Sequence, residues 1–190
     1  MFDSPLTILV WHQILFQGMF LIKTLGLRLK TGRPVRGRNK EAGQAILFFI
    51  LFIAVALALA ATNRPAIVST RLTPFFQGAG LLLLALNLAI SGASLIQMRD
   101  AWRVGIVEGQ QTDLVTTGIY TATRNPYFVS YLLMFFAYTL ICMSLVLFLL
   151  SLAGTFLVHR MILKEETFLT ARHGERYLAY QRRVPRYLIF

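Results

Sequence analysis

Residues 127–163 read YFVSYLLMFFAYTLICMSLVLFLLSLAGTFLVHRMIL, with no charge before Arg160. A bilayer core asks for about 20 apolar residues per helix. This run is far too long for one crossing, and the spacing predicts a helical hairpin that breaks near Cys142 to Ser144. Working towards the N-terminus, three more apolar stretches follow at 74–97, which contains Asn87, at 44–61, which carries no charge, and at 6–22, which is slightly short and holds His12, Gln13 and Gln17. The fold class expected is therefore all-α integral membrane, with about five transmembrane helices.

Composition agrees. Of 190 residues, 56% are hydrophobic and only 14% charged, outside the usual soluble range. The formal charge of +11 invites a nucleic-acid reading, but the basic residues sit between apolar runs, where they make membrane-flanking loops rather than a nucleic-acid surface. The single cysteine, Cys142, lies in an apolar run and leaves no disulfide framework and no cysteine-based metal site. Two regions are expected. Residues 1–97 form three helices with a basic loop at 23–43. Residues 98–190 comprise a polar loop (98–126), the hairpin (127–163) and a charged tail (164–190).

Cytoplasmic loops retain Lys and Arg. The first loop holds Lys23, Arg28, Lys30, Arg33, Arg36, Arg38 and Lys40, whereas the opposite one holds only Arg64 and Arg71. Five spans then place the N-terminus outside and bring both the polar loop and the tail into the cytosol. The first span lacks a basic flank before it and reads as an anchor rather than a cleaved signal.

Motifs of soluble enzymes are missing: the G-x-G at Gly78 to Gly80 lies inside an apolar span and follows no strand, and there is no H-E-x-x-H, P-loop or G-x-S-x-G. Chemistry is left to the polar loop, Asp113 to Phe128, and to the tail, where Glu165 and Glu166 emerge from the last span. Gly118 permits a tight turn and Pro126 suits the first turn of the next helix. Each residue also has a plainer account. Arg160 at a span end can be an interfacial anchor, the two acids can balance neighbouring arginines, and Tyr120, Tyr127 and Phe128 can belong to an aromatic belt. Tyr177 and Tyr180 are expected to pack the tail against the membrane surface. His12, His159 and His173 form no ligand set, while Asn87, Gln13 and Gln17 are expected to hydrogen-bond between helices.

Taken in order, Leu114-Val115, Gly118, Tyr120, Arg124-Asn125-Pro126-Tyr127-Phe128, Glu165-Glu166, His173-Gly174, Tyr177, Tyr180 and Val184-Pro185 resemble the isoprenylcysteine carboxyl methyltransferase family and its wider kin, the membrane phospholipid methyltransferases. The likeness covers roughly the last 80 residues. Asn125 stands where that family has histidine, Phe128 follows in place of its tyrosine, Thr112 replaces a histidine before the Leu-Val pair, and Arg160 is slightly out of register. The resemblance implies S-adenosylmethionine as cofactor, held by Thr112, Leu114, Val115, Gly118, Tyr120, Asn125, Pro126, Tyr127, Phe128 and Glu166. It implies catalytic roles for Arg160, Glu165 and Glu166, and a lipidic acceptor drawn from the bilayer, of the carboxyl O-methyltransferase type or a phospholipid amine. An amine acceptor would need Glu165 or Glu166 as a base. The competing classes are an NADPH-dependent membrane sterol reductase, which shares an R-N-P loop before a span, and a non-enzymatic membrane protein. The Glu165-Glu166 pair favours the methyltransferase.

Overall fold

The computed structural model describes residues 4–32, 40–62, 71–102 and 113–188. Among them, the sequence forms helices and no strand. Helix α1 (Pro5–Thr31) starts where Ser4 Oγ accepts the Thr7 amide at 3.2 Å and Pro5 takes the first turn, and it stops at Gly32, which is left-handed. Helix α2 is Lys40–Ala61 and α3 is Thr73–Gln97. Helices α4 (Pro126–Cys142) and α5 (Leu145–His173) form the hairpin, and α6 (Glu175–Arg183) ends the helical part.

The hairpin breaks where the over-long apolar run predicts. Met143 takes a left-handed conformation, φ 46°, and Ser144 Oγ accepts the Leu147 amide at 3.4 Å to start α5. Two boundaries differ from the sequence reading. Helix α1 continues past residue 22 to Thr31, so Lys23, Arg28 and Lys30 stand on a helix rather than in a loop. Helix α5 continues past 163 to His173, so Glu165 and Glu166 belong to the hairpin's second arm and not to a separate tail. In both places Leu, Lys, Arg and Glu, which are good helix formers, outnumber the poorer ones, and loss of apolar character does not end the hydrogen-bonded ladder.

Helix α4 is the centre of the bundle, burying Phe128, Val129, Met134, Phe135, Ala137, Tyr138 and Ile141. At 17 residues it is about 26 Å long. It packs most extensively on α3, which approaches closely at Gly80, where a Cβ would sit 2.6 Å from Ile141 Cγ1. Phe48, Phe49 and Phe52 of α2 surround the Phe135 ring at 5.9, 5.3 and 4.7 Å between centroids. Outward, Ile22, Leu47, Ile50, Phe75, Leu82, Ile96 and Phe156 are exposed, as lipid-facing side chains are. Among the described residues, four helices are long and apolar enough to cross a membrane, and α4 is a shorter apolar one. The protein is thus all-α and multi-pass. The end of α3, the start of α4 and the polar part of α5 share one end of the bundle. Lys30 of α1 reaches that end too, pairing with Asp100 at 2.7 Å.

Candidate functional site

The segment 113–125 folds over the end of α3. Gly118, at φ 62°, begins a 3₁₀ turn through Thr121, and a Cβ there would collide with the Gln97 side chain. The Ile119 amide donates to Gln97 Oε1 at 2.6 Å. This turn directs the Tyr120 ring inward, where it packs with Tyr177, Tyr180 and Val184, flanked by Leu114, Val115 and Leu169. The Tyr180 hydroxyl donates to the Tyr120 carbonyl at 2.6 Å. Burial pushes the Tyr120 hydroxyl well above the ordinary tyrosine value, and the Glu165 charge pushes it further, so Glu165 bears on this ring cluster.

Glu166 has a different environment. It is buried, and its carboxylate accepts Arg186 Nη2 at 2.9 Å and Nε at 3.2 Å. Arg124 Nη2 lies 3.3 Å from Oε1 and Asn125 Nδ2 donates to Oε1 at 3.4 Å. Two cations around one buried anion satisfy the desolvation requirement that a lone carboxylate would violate. The carboxylate beside Arg186 holds that guanidinium above its ordinary pKa. The backbone completes the join: Arg124 N donates to the Pro185 carbonyl at 2.9 Å, while Thr123 Oγ1 and Asn125 Nδ2 donate to the Arg186 carbonyl at 3.0 and 3.1 Å. Two turns along α5, His159 Nδ1 meets the Tyr187 hydroxyl at 2.7 Å.

The sequence-predicted residues fall into separate groups. Leu114, Val115 and Tyr120 share the ring cluster, with Glu165 beside it and Gly118 opening the turn that carries Tyr120. Asn125 and Glu166 meet in the ion-paired join, with Pro126 opening α4. Phe128 is buried in the main core. Tyr127 turns toward Phe20, Trp102 and Tyr131, with its hydroxyl 2.5 Å from that of Tyr131. Arg160 is exposed. Six positions before Glu166, it points about 120° away around the helix. Thr112 lies outside the described residues, as do Arg33, Arg36, Arg38 and Arg64. Tyr177 and Tyr180 are buried in one cluster with Tyr120 of the loop rather than spread on a membrane surface, their rings in contact with each other and the Tyr180 hydroxyl on the Tyr120 carbonyl. Sequence reasoning quoted Arg124 within the ordered motif but gave it no role, and it did not single out Gln97, Thr123 or Arg186 as site residues. A buried acid demands cations, but the chain offers many arginines near the site, and pattern alone does not choose among them.

The fold and the site together define a polytopic helical membrane protein with a polar, ring-lined and ion-paired site at one end of its spans. Residues 75–176, more than half of the chain, match the family model for phospholipid methyltransferases, and the chain belongs to that family. It is a membrane methyltransferase of the lipid-modifying kind, in agreement with the resemblance seen in the sequence. The matched stretch takes in α3, the loop, the hairpin and the start of α6. Searches of curated proteins and of solved structures returned no match.

Proposed function

We propose that the protein transfers a methyl group from S-adenosylmethionine to a lipid-held acceptor at the cytosolic face of its membrane, with the N-terminus outside. The observation that carries this reading is the loop 113–125, folded over the end of α3 so that Tyr120, Leu114 and Val115 meet the Glu165 side of α5. The donor and acceptor chemistry fits the cofactor. Aromatic faces attract a sulfonium through the ring quadrupole, on the order of 0.5 to 2 kcal/mol, and a carboxylate accepts from amino or hydroxyl groups. Orientation is supported by Arg28, Lys30, Lys164, Arg172, Arg176, Arg182 and Arg183, all exposed at the site's end of the bundle.

Bound S-adenosylmethionine supplies an electrophilic methyl group. In this reading Leu114 and Val115 give apolar walls that exclude water, Tyr120 gives a ring face, and Glu165 is the acid that holds a polar group. Glu166 acts through the loop, because guanidinium and amide donors already occupy its oxygens. Tyr127 and Phe128 support the loop from the bundle side. In-line methyl transfer depends on positioning and on exclusion of water. A carboxylate oxygen needs no base, and we take a lipid-borne carboxylate as the acceptor class; a lipid amine would require Glu165 to accept a proton. Arg160, at the interface and away from the loop, belongs with the acceptor's head group rather than with the cofactor.

The test is calorimetric titration of the detergent-purified protein with S-adenosylhomocysteine. Saturable binding is expected, weakened roughly tenfold or more by Tyr120→Ala and by Glu165→Gln, which corresponds to about 1.4 kcal/mol, and little altered by Arg160→Ala. Labelled methyl donor offered with a prenylcysteine carboxylate and, in parallel, an ethanolamine phospholipid then identifies the nucleophile. A folded protein that does not bind the ligand would sink the proposal.

A further inference from the structure

The segment 184–187 is held on two sides at once. Its backbone carbonyls, at Pro185 and Arg186, accept three hydrogen bonds from Thr123, Arg124 and Asn125. Its side chains turn the other way, Arg186 onto Glu166 and Tyr187 onto His159. Positions 159 and 166 are seven apart, which is nearly two helical turns, so they lie on one face of α5. The segment runs along that face. Asn125 is the junction. It occupies the N-cap position of α4 but makes no side-chain cap bond, whereas capping is the usual use of an asparagine there. Its Nδ2 is spent on the Glu166 carboxylate and the Arg186 carbonyl instead.

We infer that the segment 184–187 is a latch that fixes the loop 113–125 in its ligand-binding shape, with Arg186 and Asn125 as positioning residues and Glu166 as the catch. None of the three need touch a reacting atom. The identification of the loop as the cofactor site rests on the function proposed above; the latch itself does not. The asparagine in place of the family's histidine gains a reason: its amide gives two donor hydrogens that do not titrate, one for each partner.

Two readouts separate the latch from the cofactor reading. Hydrogen exchange is measured at the amides of 114–125 on the full-length protein in detergent, without ligand, for the wild type, Arg186→Ala, Arg186→Lys and Asn125→Asp. S-adenosylhomocysteine affinity is measured on the same samples. The expected result is exchange in the loop at least tenfold faster in Arg186→Ala, while the amides of α2 and α4 exchange as in the wild type. Arg186→Lys should recover part of the protection, since it keeps the charge but loses the fork. Asn125→Asp should loosen the loop as well, by placing a second carboxylate beside Glu166, and lowering the pH should restore protection as that new carboxyl takes up a proton. Affinity should fall in parallel with protection. Loop exchange that is unchanged in Arg186→Ala and Asn125→Asp overturns the latch, whatever the ligand does. Faster loop exchange in a protein whose wild type binds no S-adenosylhomocysteine upholds the latch and overturns only the cofactor reading.

Discussion

At the scale of single residues, Tyr180 joins the tail to the loop through one proton. Its hydroxyl is buried and donates to the Tyr120 carbonyl; burial raises its pKa, partly offset by the Arg124 charge. An unfolded tyrosine loses its proton near pH 10, by the usual reference value of about 10. The folded group keeps its proton to higher pH. Its contribution is therefore complete below the unfolded value and is lost as pH rises through the folded one. Thermal melts followed by tryptophan fluorescence should be flat from about pH 7 to 9 and should fall above about 10. Tyr120 and Tyr177 are raised in the same direction, so Tyr180→Phe should lessen the alkaline decline without removing it, and should cost about 0.5–1.5 kcal/mol at pH 8. An alkaline decline identical in the variant would show that the hydroxyl does not carry this linkage.

At the scale of elements, the α4–α5 break is the feature most legible in sequence, and it holds a non-glycine residue in the left-handed region. A charge-free run longer than a bilayer has to turn, and Cys142 to Ser144 offered a left-handed stop followed by a serine cap. Met143 fills the left-handed position, where a side chain costs roughly 1–2 kcal/mol relative to glycine. Met143→Gly should raise stability by about 0.5–1 kcal/mol, less than the full strain because glycine gains freedom in the unfolded chain. A rise in the detergent melting temperature checks this, and a fall would mean that the methionine side chain supplies packing worth more than the strain. The extensions of α1 and α5 were not legible, because hydropathy marks where a span leaves the lipid and not where a helix ends. The site divided in the same way. Glu166 stood out as one of two acids after an apolar span, and the ordered motif placed Gly118, Tyr120 and Asn125. Arg186 and Asn125 reach Glu166 from 20 and 41 positions away, and no local pattern reports such a contact.

At the scale of the whole molecule, the bundle is registered by polar side chains far from the loop. His12 of α1 meets Asn87 of α3 through Nε2 at 2.9 Å and Tyr138 of α4 through Nδ1 at 2.9 Å. Asn87 Nδ2 donates to the Ser130 carbonyl at 2.6 Å, which leaves its Oδ1 to accept from His12 and assigns the proton to Nε2. Tyr138 then donates to Nδ1, and Gln13 Nε2 donates to the tyrosine oxygen at 2.7 Å. These bonds fix three helices, α1, α3 and α4, in mutual register. Asn87 lies ten residues before the Gln97 end of α3, about 15 Å along the helix, so the register and the loop are distinct parts of the molecule. Asn87→Leu should cost about 0.5–2 kcal/mol, in the range for interhelical hydrogen bonds in membranes, because it strands the His12 Nε2 proton. S-adenosylhomocysteine affinity should stay within about twofold, a change of only ~0.4 kcal/mol. The decisive comparison is a double-mutant cycle with His12→Phe. Removing both polar partners relieves the stranded donor, so the double variant should be more stable than the sum of the single losses predicts, by about 0.5 kcal/mol or more. Strict additivity in detergent unfolding would show that His12 and Asn87 are merely neighbours, and that helix register comes from the aromatic core around Phe135.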